Sequence, residues 1–157
     1  MIEISCDENW EDLINKTRLQ KILIIFLKHL FDTERGISLY LTDDGEIQKL
    51  NKEFRGKDCP TDILSWAYDD NDLEMNAAQT GDSASGKLAG ELIVSAERVR
   101  QQAVENGWDF ETELIRLLAH GCVHLAGLDH ESSTEEAREM LELEIELLKE
   151  VDLTNIY

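Results

Sequence analysis

The spacing of apolar positions changes repeatedly along this chain, and each change marks an element. IEIS at residues 2–5 alternates and predicts a short strand. Leu19, Ile22, Leu23, Phe26, Leu27 and Leu30 then recur at three- and four-residue intervals, the pattern of an amphipathic helix over 18–31. Gly36 opens ISLYLT, 37–42, whose β-branched and aromatic content suits a strand. Thr42, Asp43 or Asp44 can cap a helix running through about residue 54, with Gly56 just beyond its end. DILSWAY, 62–68, reads as another strand, and the polar, small-residue-rich stretch 69–87 as an exposed loop without a period. LAGELIVS, 88–95, is an apolar strand, and AERVRQQAVENG continues as a helix that Gly107 stops. Residues 110–126 and 133–151 form the last two helices, the second capped by Ser133 or Thr134 with Glu136 placed for a capping box. Strands interspersed with helices, without an internal repeat, predict one α+β domain over 1–157. It has a mixed sheet of about four strands covered by helices, with the 110–126 helix central.

Composition agrees with one ordered domain: 157 residues, 42% hydrophobic and 31% charged. The strongest apolar run, ILIIFL at 22–27, is closed by Lys21 and Lys28 and falls far short of the roughly 20 residues that cross a bilayer. MIEISCDENWED is acidic where an export signal would be basic and then apolar, so a cytoplasmic protein with no membrane partner is expected. Cys6, Cys59 and Cys122 are scattered, odd in number and form no C-x-x-C pair, which implies reduced thiols.

A formal net charge of −19, from 34 acidic and 15 basic residues, argues against indiscriminate nucleic-acid binding. Its distribution changes the picture. Residues 131–157 carry nine acids and two bases, and 69–82 carry five acids and no base. Lys49, Lys52, Arg55 and Lys57, against Glu53 alone, form a basic island within this acidic chain.

HGCVHLAGLDHE, 120–131, holds three of the four histidines. On a helix, His120 and His124 differ by about 40° and project from one face a turn apart, which suits two ligands of one ion. His130 would lie about 240° further round if the helix continued, so the chain must turn. Gly127 is the residue that can turn it. Three imidazoles with an open fourth position make the catalytic zinc pattern, with Ni²⁺ or Co²⁺ able to substitute. The bland alternative is polar residues closing a helix end beside Asp129 and Glu131. The spacing also matches the zinc-protease pattern H-E-x-x-H-x-x-G-x-x-H, but Gly121 stands where that motif has its general base. Cys122 points about 200° from His120 and is read as core.

The segment resembles the signature H-G-x-L-H-L-x-G-Y-D-H of the YbeY family, bacterial metal-dependent endoribonucleases of ribosomal RNA maturation and ribosome quality control. NKEFRGKDCPTDILSW, 51–66, is similar to that family's N-x-x-x-R-x-x-D-x-P-T-D-V-L-S-F, and AGELIVS, 89–95, to its L-G-D-I-x-I strand. The blocks fall in family order and span essentially the whole chain. Leu128, Trp66 and Glu91 depart from the usual tyrosine, phenylalanine and aspartate. The resemblance implies His120, His124 and His130 as zinc ligands and Arg55 as the functional arginine, with Arg55 and His120 cast as catalytic. It also implies single-stranded RNA as substrate, ribosomal RNA or its precursors, with the ribosomal subunit or its proteins as partners. The chemistry is consistent. A guanidinium clamps phosphate oxygens bidentately while zinc acts as Lewis acid or source of hydroxide. Trp66 and Tyr68 are the nearby stacking candidates, each read as core.

Glu144 stands out on the last helix. Ala137, Met140, Leu141, Ile145, Leu147, Leu148 and Val151 make a broad apolar face, and Glu144 falls in its middle. A carboxylate there needs a partner, and a histidine ring or an arginine is expected to donate to it; the bland alternative is an edge position from which it reaches solvent. Two other functions stay open at this level. One is a non-catalytic RNA- or ribosome-binding factor with a structural metal, disfavoured by the open coordination position. The other is protease-like hydrolysis, disfavoured by Gly121.

Overall fold

The computed structural model describes residues 2–68, 87–127 and 133–154. Its strands are β1 (Ile2–Cys6), β2 (Arg35–Thr42), β3 (Ile63–Ala67) and β4 (Lys87–Ser95), and its helices α1 (Lys16–Leu30), α2 (Asp44–Arg55), α3 (Ala96–Asn106), α4 (Phe110–Leu125) and α5 (Thr134–Glu150). The sheet order is β1-β2-β4-β3. β1, β2 and β4 run parallel, and β3 closes one edge antiparallel to β4. This is the single α+β domain with a mixed four-stranded sheet that the sequence predicts.

Alternation along β2 decides where the core lies. Ile37, Leu39 and Leu41 are buried, whereas Ser38 and Tyr40, one residue out of phase, are half-buried. Leu92 and Val94 stand opposite Leu39 and Leu41 and extend the apolar face to β4. That face meets Leu23 and Phe26 of α1, Leu118 and Cys122 of α4, and Leu147 of α5 in one cluster. α4 touches α1, α3, α5, β3 and β4, which makes it the central helix. Two glycines allow the close approach. A Cβ on Gly121 would lie 2.8 Å from both Ile63 Cδ1 and Leu92 Cδ2, and one on Gly90 would lie 2.1 Å from the Trp66 carbonyl oxygen. At Gly90 only a residue without a side chain lets the two backbones meet, whereas at Gly121 the tips of Ile63 and Leu92 would have to shift.

The helix boundaries follow from local chemistry. Of the three candidate caps for α2, Asp43 accepts from Glu46 N at 2.8 Å, while Asp44 accepts from Ser95 Oγ at 2.7 Å and Arg98 Nε at 3.2 Å. Asp44 thus ties the start of α2 to the start of α3. Ser133 caps α5 by accepting from Glu136 N at 3.0 Å. α1 begins at Lys16, earlier than its apolar period implies, because Asn15 accepts from Arg18 N at 3.1 Å. A 3₁₀ turn at Glu8–Leu13 is an addition to the elements read from sequence. It buries Trp10 beneath the Arg100 guanidinium, 5.2 Å from the ring centroid, and six residues holding one aromatic carry no period. The loop expected over 69–87 lies outside the described residues, except that Lys87 opens β4. Among the described residues no helix is long and apolar enough to cross a membrane.

Candidate active site

The C-terminal half of α4 carries His120 and His124 one turn apart. Their Nε2 atoms approach within 3.1 Å, and the rings meet edge to face with centroids 4.7 Å apart. His120 Nδ1 donates to Glu144 Oε1 on α5. Glu144 is only 4% exposed, among buried Met140, Leu147 and Leu148, so the expectation of a buried carboxylate bonded to a histidine ring agrees with the structure. That bond has a chemical consequence. With its proton held at Nδ1, the His120 imidazole presents the Nε2 lone pair toward His124.

Two imidazole nitrogens bound to one tetrahedral zinc ion at about 2.0–2.1 Å stand roughly 3.3 Å apart. The 3.1 Å between the Nε2 atoms fits such a pair. α4 then ends where the sequence places its end: Gly127 N donates to His124 O at 3.0 Å and Gly127 has φ 98°. The glycine is required by that left-handed backbone. His130, the third expected ligand, lies outside the described residues, and among those described no group of three His, Cys, Asp or Glu that could hold a metal comes together.

Cys122 faces the core as expected, with desolvation pushing its thiol up to about 12, far from the thiolate that a metal would need. Gly121 sharpens the exclusion of protease chemistry. A side chain there would point into Ile63 and Leu92, against the sheet, so the position offers no place for a general base.

Arg55 ends α2 and makes its contacts to β3 rather than to the histidines. Its Nη2 donates to Ser65 O at 2.7 Å, and its guanidinium lies 5.7 Å from the Trp66 ring centroid. Even-numbered residues of this stretch pair with β4, as Tyr68 N to Ala89 O and Ser95 N to Asp62 O show, so the Ser65 carbonyl points out from the sheet edge. Arg55 covers a polar group that would otherwise be an open template. On the other side of the same strand, Ile63 packs at Gly121 of the histidine helix. β3 therefore touches both the Arg55 side chain and the helix that carries the histidines.

Trp66 and Tyr68 are half-buried rather than core, a correction whose cause is the edge position of β3: Trp66 packs against Phe54 edge to face at 5.8 Å. Glu113 went unnoticed in the sequence. Fully buried on α4, it accepts from Trp108 Nε1 at 2.7 Å, Asn106 Nδ2 at 3.3 Å and the Arg116 guanidinium, and so locks the α3–α4 connection. The reasoning that found Glu144 would have found it, since Glu113 stands on the apolar face with Leu117 and Leu114.

The chain is similar to known proteins along most of its length. The family model described as Endoribonuclease YbeY matches residues 4–152. Curated relatives named Endoribonuclease YbeY include one from Persephonella marina, 35% identical over 88% of this chain and 84% of its own length, and one from an Exiguobacterium species, 44% identical over 73% and 70%. A solution structure of a Thermotoga maritima protein superposes with a TM-score of 0.59 at 28% identity, covering 97% of this chain and 92% of the other.

Proposed function

We propose, for a chain that belongs to the Endoribonuclease YbeY family and is thus a hydrolase acting on RNA, that it cuts single-stranded ribosomal RNA or its precursors at a zinc site. His120, His124 and His130 would hold the ion, in the cytoplasm and in the service of ribosome maturation and quality control. The observation that carries this reading is the convergence of two Nε2 atoms at 3.1 Å, one of them oriented by a buried carboxylate. When bound, the ion supplies a Lewis acid for the scissile phosphate.

The chain's own residues do the rest. Glu144 fixes the His120 tautomer and ring direction. Arg55 has five N–H donors, and with one engaged at Ser65 the fork retains donors for the phosphoryl oxygens that gain charge in the transition state. Its position at the end of a basic island lets RNA approach a molecule of net charge −19.

Labelled RNA and casein, each incubated with purified protein with and without chelator, test the reading. RNA cut only without chelator, casein untouched, and a loss of roughly a hundredfold in His124→Ala and in Arg55→Ala are expected. Chelator-insensitive cleavage, or full activity in both variants, would overturn it.

A further inference from the structure

Phe54 occupies the core-facing stripe of α2, three and seven residues after Asn51 and Ile47, which are 3% and 0% exposed. Yet Phe54 is 60% exposed, its ring packing edge to face against Trp66 of the edge strand β3. Among the described residues it is the one aromatic among the large hydrophobic side chains left so exposed. It also lies inside the basic island, next to Arg55, whose guanidinium covers the neighbouring Trp66 ring. An open aromatic side chain with a guanidinium on the adjacent ring suits a partner that is flat, apolar on its faces and strung on a negative backbone.

We propose that Phe54, supported edge-on by Trp66, stacks an unpaired base of the RNA beside the phosphate that Arg55 holds. This rests on the reading of Arg55 above and adds a positioning residue to it. Base–aromatic stacking tolerates any base, since each has a π face, but needs that face to be free. Bases in a duplex have both faces covered, so the platform selects unpaired strand without reading sequence. A protein partner is less suited: the island sets four basic residues against Glu53 alone, a net positive stretch that matches a phosphodiester chain better than the mixed charge of an ordinary protein surface.

The test uses the full chain and a short single-stranded RNA with 2-aminopurine walked through its positions, read in stopped flow before cleavage. Quenching at one position is expected in wild type and in Phe54→Trp, with loss of the quenching in Phe54→Ala. KM for that RNA should rise roughly tenfold in Phe54→Ala. An abasic site at the quenched position should raise the wild-type KM by a similar factor and leave Phe54→Ala no worse, because the two changes remove one contact. If wild type cleaves RNA but Phe54→Ala keeps the quenching and the KM, or the two penalties multiply, the platform is wrong and the enzyme reading stands. If wild type cleaves no RNA, the reading beneath it fails.

Discussion

Glu144 is the residue on which most of the site's order depends. It is buried, bonded to the ring of His120, and comes from the helix after the one that carries both histidines. In Glu144→Gln the acceptor is weaker and uncharged, so zinc affinity should fall by roughly 10- to 100-fold, read by chelator competition. Unchanged affinity would show that the carboxylate serves packing alone. The need for a partner could be inferred from helix angles, because one carboxylate amid seven apolar residues is a local anomaly. Which partner it takes depends on how α5 lies against α4, and periodicity along one helix contains no information about its rotation against another. Phe54 is the converse case: it shares the stripe of buried Ile47 and Asn51 yet is 60% exposed, which spacing along one helix does not reveal.

At the scale of elements, the boundaries were mostly readable, since caps and left-handed glycines act within a turn of themselves. Asp43, Ser95, Asp109 and Ser133 each accept from a backbone N–H three residues on. Contacts between elements were not. His29 of α1 bridges to α5, with Nδ1 3.0 Å from Glu150 and Nε2 3.2 Å from Glu146, residues more than a hundred positions later. The hydrogen bond to Glu150, with help from Glu146, raises the His29 pKa above 6.5 despite partial desolvation. The stabilisation is therefore complete below about 6.5 and is lost as pH climbs through the raised value. Wild type should melt above His29→Gln at pH 6, by the equivalent of under about 1 kcal/mol, and the gap should shrink as pH rises above about 6.5 and close beyond the raised value. A gap constant with pH would mean that the bridge carries no charge.

For the whole molecule, the function proposed above makes the balance between a −19 chain and its basic island set how RNA binds. Lys52 already faces Asp58 at 3.8 Å on the surface, which leaves Lys49, Arg55 and Lys57 as the principal phosphate contacts. Each phosphate contact on a single strand contributes about −0.7 to the slope of log K against log salt, so a slope near −2 is expected from anisotropy titrations. Lys57→Ala should flatten it by about 0.7. A slope beyond about −4 would place RNA on surfaces outside the island.

β3 holds none of the candidate ligands, yet it is the common reference for Arg55 and for the helix that carries His120 and His124. Its outer edge seats Arg55 through Ser65, and its inner face seats the histidine helix through Ile63 at Gly121. Errors in its placement therefore propagate to both at once, and Gly90 controls that placement because the Trp66 carbonyl lies 2.1 Å from where its Cβ would be. Gly90→Ala must push β3 outward, costing about 1–3 kcal/mol of stability by thermal melting. Misaligning groups from two distant parts of the chain should cost activity far more, on the order of a hundredfold in kcat/KM measured well below the melting point. In this protein, tolerance to mutation would then be lowest at a glycine that touches neither metal nor substrate.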